Sequence, residues 1–286
     1  MEDKPFYKYY KEEKEEKLSQ KIFLRFVVIF FVVYLLVMLM GYAFYQNFSY
    51  VTISGRSMQS TLNSSPVAVQ TKNGVEYLQD GVYIKHTKKV TYSDIVVLQS
   101  TPDYEKEEKT IIKRVLALEG DYVTIVKLQG ESSREAFHVL RVKSGKDNVE
   151  ILEENYIYSY DSWTCADGSN WEINVDNIAY EADFYGTFIS KSYDIKTFQV
   201  ASLENAEVVF FKVPKDNIFF LGDNRTGSKD SRSLGCYNID RIKGKVVDVV
   251  RNGSDYKGND FWWFNRTKGF FRVVWQEILY FFGGNS

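Results

Sequence analysis

The chain has 286 residues, with 36 Lys+Arg against 38 Asp+Glu, a formal net charge of -2, and 44% hydrophobic and 16% aromatic residues. That is enough apolar side chain to bury the core of one large or two small domains, which excludes a disordered tail. The near-balanced charge, without an arginine-rich tract, leaves no excess to neutralise a phosphate backbone and speaks against nucleic acid as a partner. Cys165 and Cys236 are too few for a disulfide framework or a closed zinc site, though they allow one bridge, and the two histidines, His86 and His138, lie in unrelated segments. Neither a metal centre nor a cofactor is expected.

Residues 1–21 form a mixed-charge tail in which KYYKEEKEEKLSQK has the Glu/Lys spacing of a solvated helix. Residues 22–46 read as a membrane anchor. From Phe26 to Tyr45 there is no charged residue, about the 20 positions that cross the hydrocarbon core of a bilayer. The apolar region of a cleaved signal peptide is shorter, about 7–15 residues. Lys11, Lys14, Lys17, Lys21 and Arg25 precede the span, and only Arg56 occurs soon after it, so the N-terminus is expected in the cytoplasm and the rest outside.

Beyond the span the periodicity is that of strands: VYIKH, SDIVVLQ, TIIKRVLAL, YVTIVKL, NIFFLGDN and KGKVVDVV are rich in β-branched and aromatic residues and bounded by Gly, Asp, Asn and Ser. The fold is expected to be mainly β, with a core from residues 47–126 and 206–260. Residues 127–205 are more polar and rich in tyrosine, and read as a second lobe inserted into that core. Residues 261–286 form an amphipathic segment in which Phe271, Val274, Trp275, Ile278 and Phe282 share a helical face below Trp262 and Trp263. Two readings stay open for it, an interfacial helix and a helix packed on its own core.

Ser57, in ISGRSMQSTL, is a candidate nucleophile with no histidine beside it, and a serine hydroxyl needs a base at neutral pH. A buried lysine can serve, because desolvation disfavours its ammonium form. Lys113, in TIIKRVLALEGD, is set in an apolar strand; by alternation it shares a face with Ile111 and Val115 while Arg114 turns the other way. A third segment, LGDNRTGSKDSR, follows an apolar strand and gathers Gly, Asn, Asp, Ser and Arg into one turn-rich loop able to hold side chains in fixed geometry.

These three segments, in this order after an anchor, resemble the type I signal peptidases, membrane-bound Ser/Lys proteases. Residues 54–62 resemble the box S-G-x-S-M-x-P-T-L, with Ser57 in the nucleophile's position, Gly55 and Met58 flanking it, and Ser60 in place of proline. Ser93–Leu98 resembles G-D-I-V-V-F, and Lys113–Asp121 resembles K-R-V-x-G-x-P-G-D, with Ala117 and Glu119 where glycine and proline are usual. Gly222, Asp223, Asn224 and Arg225, then Ser228, Asp230, Ser231 and Arg232, match G-D-N-R-x-x-S-x-D-S-R, and Arg241–Val246 resembles the closing I-x-G-K strand.

The resemblance implies a signal-peptidase-type β core, related to that of the SOS-type repressors, with an inserted lobe and one N-terminal transmembrane helix. It implies a serine endopeptidase of the cell membrane that removes signal peptides from exported preproteins. Lys113 would be the base, Ser228 would hydrogen-bond it, and ion pairs Asp223–Arg114 and Asp230–Arg232 would shape the site. The Ser57 N–H would hold the oxyanion; some relatives add a hydroxyl two residues before the nucleophile, where this chain has Gly55. The implied partners are preproteins with A-x-A-like cleavage sites, the lipid bilayer and the secretion translocon. The alternative is a non-catalytic or dedicated relative assisting assembly of surface proteins, of the pilus type.

Overall fold

The computed structural model describes residues 4–64, 68–71, 74–100, 109–127, 137–157, 172–175, 178–253 and 262–283. It divides into two compact units, Met1–Phe48 and Ser49–Ser286.

The first unit is one helix, α1 (Lys4–Asn47), running unbroken from the charged tail through the apolar stretch. Its one proline, Pro5, lies in the first turn, where a missing N–H costs no hydrogen bond. Phe23, Phe30 and Leu36 are each more than half exposed. Lys17–Asn47 is the one helix among the described residues long and apolar enough to cross a membrane.

The second unit is mainly β. In chain order its elements are β1 (Phe48–Thr52), β2 (Ala68–Thr71), β3 (Gly74–Tyr77), β4 (Gly81–Lys85), β5 (Ile95–Gln99), β6 (Thr110–Ala117) and β7 (Tyr122–Lys127). Then come β8 (Phe137–Val142), β9 (Glu150–Ile151), β10 (Glu172–Val175), β11 (Ile178–Glu181), α2 (Ala182–Ser190), β12 (Ile195–Val200) and β13 (Ala206–Lys212). The chain closes with β14 (Asn217–Leu221), α3 (Ser231–Leu234), β15 (Tyr237–Asn238), β16 (Ile242–Val250) and α4 (Trp262–Gly283).

One sheet has the order β1-β4-β16-β5-β6-β14-β15; a second is built on β10-β11-β7-β13-β12 with β8 and β9 attached, and β2 pairs with β3 alone. The first sheet therefore brings segments far apart in sequence beside β6. Val96 of β5 lies opposite Lys113, and Leu221 of β14 lies opposite Arg114. The division drawn from sequence at residues 126 and 206 falls one strand inside the second sheet at each end. β7 and β13 pair with each other there, through Phe211–Val123 and Lys212–Tyr122. Their apolar composition matches the core strands, so composition did not separate them.

A core of buried side chains joins the two sheets. Leu116, Phe219 and Leu221 come from the first sheet, Val123, Ile125 and Phe211 from the second, and Phe184 and Phe188 from α2. The Glu181 carboxylate caps α2 by accepting from Phe184 N at 2.6 Å. The turn after β6 forms without the usual proline: Gly120 takes φ +81°, and the Glu119 carboxylate accepts from Asp216 N at 2.9 Å. Ser93, where glycine is usual, holds φ 67°, with its N–H on the Val115 carbonyl at 2.8 Å.

Candidate active site

The turn after β1 carries Ser57. Its shape is set by short-range bonds, Gln59 N to Arg56 O at 3.0 Å and Leu62 N to Met58 O at 2.7 Å. Met58 anchors it from below: fully buried, it packs with Ile53, Leu62, Val82, Ile84, Val97 and Ile112. Met58 is thus a core residue of the turn and not part of the cleft wall. The cleft, about 350 Å³, runs between Val51–Gly55 with Ser57 on one side and Val97 with Thr110–Lys113 on the other.

Lys113 reaches from mid-β6 to this turn. It is 3% exposed, and its Nζ donates to Ser57 Oγ at 2.9 Å and to the Ile112 carbonyl at 2.9 Å. Burial lowers the amine from an ordinary 10.5 to about 8, because the ammonium loses its hydration. The Asp230 charge pulls the other way and the Arg232 charge offsets it. A lone carboxylate nearby would restore an ordinary lysine; a carboxylate already paired to a guanidinium leaves desolvation in control.

That pairing is built tightly. Asp230 and Arg232 are buried, Arg232 Nε donates to Asp230 Oδ1 at 2.9 Å, and Asp230 Oδ2 accepts from Gly222 N at 3.1 Å. Burial pushes the Asp230 carboxyl up, but the Arg232 charge and these hydrogen bonds bring it below the usual range. Arg232 also donates to the Arg225 carbonyl at 2.7 Å, which pins the loop back on itself.

The second expected pair is present too. Arg114 is bidentate on Asp223, Nε to Oδ1 at 2.8 Å and Nη2 to Oδ2 at 2.6 Å. Thr61 bridges the pair, donating to Asp223 and accepting from Arg114 Nη2 at 3.2 Å. Thr61 lies in the nucleophile box itself and could have been singled out there. Asn224 ties the loop to the Ser57 turn: its N–H donates to the Ser57 carbonyl at 3.0 Å and its Nδ2 to the Arg56 carbonyl at 3.2 Å. Gly222 has to be glycine, since a Cβ there would run into the Ser57 carbonyl and the Ser228 side chain.

Ser228 departs from expectation. Among the described residues its buried hydroxyl has no hydrogen-bond partner, and the Lys113 amine bonds Ser57 and Ile112. Gly55 lines the cleft with open space where a Cβ would go.

Sequence reasoning missed what the inserted segment brings. Glu154 forms an ion pair with Arg225 in which both side chains are almost wholly buried. Tyr156 donates from its hydroxyl to Glu154 at 2.9 Å, lies under the Arg114 guanidinium at 3.9 Å, and accepts at its carbonyl from the Ser60 hydroxyl. The serine in place of proline thereby becomes a tie between the nucleophile turn and the lobe. Cys236 is a free thiol, and Cys165 lies outside the described residues.

Signal peptidase IB of Staphylococcus aureus (strain Mu50) is 43% identical over 67 residues, 23% of this chain and 35% of that protein, so the match spans about a third of that relative's length. Signal peptidase I of Buchnera aphidicola is 23% identical over 258 residues, 84% of this chain and 79% of that one. The crystal structure of a signal peptidase I from Enterococcus faecalis V583 is 18% identical, covers 56% of this chain and 97% of that chain, and has a TM-score of 0.27. Residues 23–250 match the model of the family described as signal peptidase, peptidase S26, and the chain belongs to that family.

Proposed function

We propose that the chain is a membrane-anchored serine endopeptidase that cleaves signal peptides from exported preproteins with Ser57 as nucleophile and Lys113 as general base. The observation that carries the reading is the 2.9 Å contact between Ser57 Oγ and a lysine amine whose burial lowers it to about 8. An amine with that affinity is about a tenth neutral at pH 7 and about half neutral at pH 8, against under about a thousandth at pH 7 for an ordinary lysine, and its neutral form can accept the hydroxyl proton.

In the acylation step Ser57 Oγ attacks the scissile carbonyl as its proton passes to Lys113 Nζ. The ammonium so formed protonates the departing amine, and the C–N bond breaks to leave an acyl-enzyme and a neutral lysine. Water then attacks the ester by the same proton path in reverse. The Ser57 N–H holds the developing oxyanion. Asn224 is the positioning residue for that donor: by fixing the Arg56 carbonyl it fixes the trans peptide plane, so the Ser57 N–H points away from the loop.

The cleft between Val51–Gly55 and Thr110–Lys113 suits an extended peptide added edge-on, with room for small side chains before the cut. The basic residues before the α1 span orient it with the N-terminus in the cytoplasm and the second unit outside, where a preprotein's cleavage site leaves the bilayer and translocon. A scaffold role without catalysis has no use for the buried Lys113, which costs stability.

Ser57→Ala and Lys113→Ala should each lower kcat/KM for preprotein processing in detergent by at least about a thousandfold; near-normal cleavage by either would remove the dyad. Folding with an amine lowered from 10.5 to about 8 costs up to about 3 kcal/mol wherever the unfolded lysine is charged. Lys113→Met should therefore melt several degrees, about 5 °C, above the wild type at pH 7. The advantage should shrink as pH rises from 8 to 10.5, where the unfolded lysine also loses its proton; a constant or growing gap contradicts the assignment. Gly55→Ser meets no neighbouring atom and should fold normally while supplying a second oxyanion donor, raising kcat by about tenfold with little change in KM, as steady-state kinetics would show.

A further inference from the structure

The helix α4 has two faces, and only one is accounted for by the β unit. Its inner face is fixed to β4 and β16. Val273 is 1% exposed, Gly269 lies so close that an added Cβ would meet Val250 at 2.6 Å, and Arg266 Nε donates to the Gly253 carbonyl at 2.9 Å. Arg272 forms an ion pair with Asp248 at 2.7 Å and Glu277 accepts from Lys85 at 2.8 Å, so the helix cannot roll.

At 3.6 residues per turn the side opposite Val273 carries Phe264, Phe271, Trp275 and Ile278. They are 42%, 62%, 61% and 37% exposed. A helix packed on its core through one face and wetted on the other carries polar residues outward; here the outward face is apolar and aromatic. The reading of this segment as a helix packed on its own core describes its inner face.

We propose that this outer face lies in the interface of a lipid bilayer, at the boundary of headgroups and acyl chains. The inference rests on reading α1 as a membrane span. Three observations favour lipid over other occupants. The β unit begins at the end of an apolar helix, so a covalent tether keeps α4 at high effective concentration beside a membrane. The face is built from Trp and Phe, the residues that settle at the headgroup level. The helix also carries Arg266, Lys268 and Arg272 against a single acid, Glu277, which Lys85 already neutralises. Lys268 lies over the Phe264 ring at 4.3 Å, beside the apolar face, where its charge suits an anionic headgroup. Seated this way, α4 fixes the angle at which the β unit meets the surface and brings the cleft to a substrate whose own apolar segment is in the bilayer.

The test uses the full chain in phosphatidylcholine/phosphatidylglycerol vesicles, with Trp163, Trp171, Trp262 and Trp263 changed to Phe so that Trp275 alone reports. Lipids brominated near the top of the acyl chains should quench its fluorescence at least about twofold, while aqueous iodide has little effect. Quenching by iodide and not by bromolipid overturns the proposal, as does shielding from both that is lost when protein is diluted into excess lipid, which marks a second copy as the occupant. Phe271→Glu, on the outer face alone, should slow cleavage of a membrane-inserted preprotein about three- to tenfold and leave cleavage of a short soluble peptide unchanged. Unchanged cleavage of both, or equal loss of both, counts against docking. The fluorescence result is independent of catalysis, so failure of the proposed activity would not be confused with failure of this inference.

Discussion

The arrangement depends on one unfavourable choice, a lysine amine taken out of water beside a serine hydroxyl. Alone, a buried ammonium is expensive and would be avoided or paired. Among the described residues Lys113 has no carboxylate of its own, and hydrogen-bonds the Ser57 hydroxyl and the Ile112 carbonyl. Burial therefore shifts the balance towards the neutral amine, the form able to take a proton.

The surrounding charges preserve this condition. Asp223 and Asp230 are both buried near the amine, and either left single would draw it back towards an ordinary lysine. Each is held by an arginine, Asp223 by Arg114 and Asp230 by Arg232. The same pairs shape the loop that carries Asn224 to the nucleophile's carbonyls. Charge compensation and geometry are thus one device, and removing either arginine would disturb both. The lobe adds a third pair, Glu154 with Arg225, and places Tyr156 against Arg114 and Ser60. Its described residues brace the rear of the site through these contacts.

Legibility in the sequence followed the range of the determinants. The apolar run and the alternating strands are local patterns, and they appear in the structure as a helix and as strands. The Arg114–Asp223 and Asp230–Arg232 pairs were legible through the family resemblance. Ser60–Tyr156 and Arg225–Glu154 were not, because they join the boxes to a distant inserted segment and have no spacing to betray them. The edge of the lobe was drawn one strand too far in at each end because β7 and β13 have the composition of core strands. Ser228 stands in the box, yet among the described residues its hydroxyl has no hydrogen-bond partner. For α4, periodicity revealed an apolar stripe, but which face packs inward depended on Gly269, Val273 and two ion pairs that only the fold brings together.

A proton acceptor made by burial is a claim about one titration, and it can be measured at that atom. With lysine carbon-labelled next to Nζ and the Lys113 resonance assigned by its loss in Lys113→Met, the chemical shift of the Ser57→Ala protein can be followed against pH by NMR. The account predicts a midpoint near 8, well below the other lysines. A midpoint at the ordinary value of about 10.4 would mean a charged lysine at working pH, and would contradict Lys113 as the base.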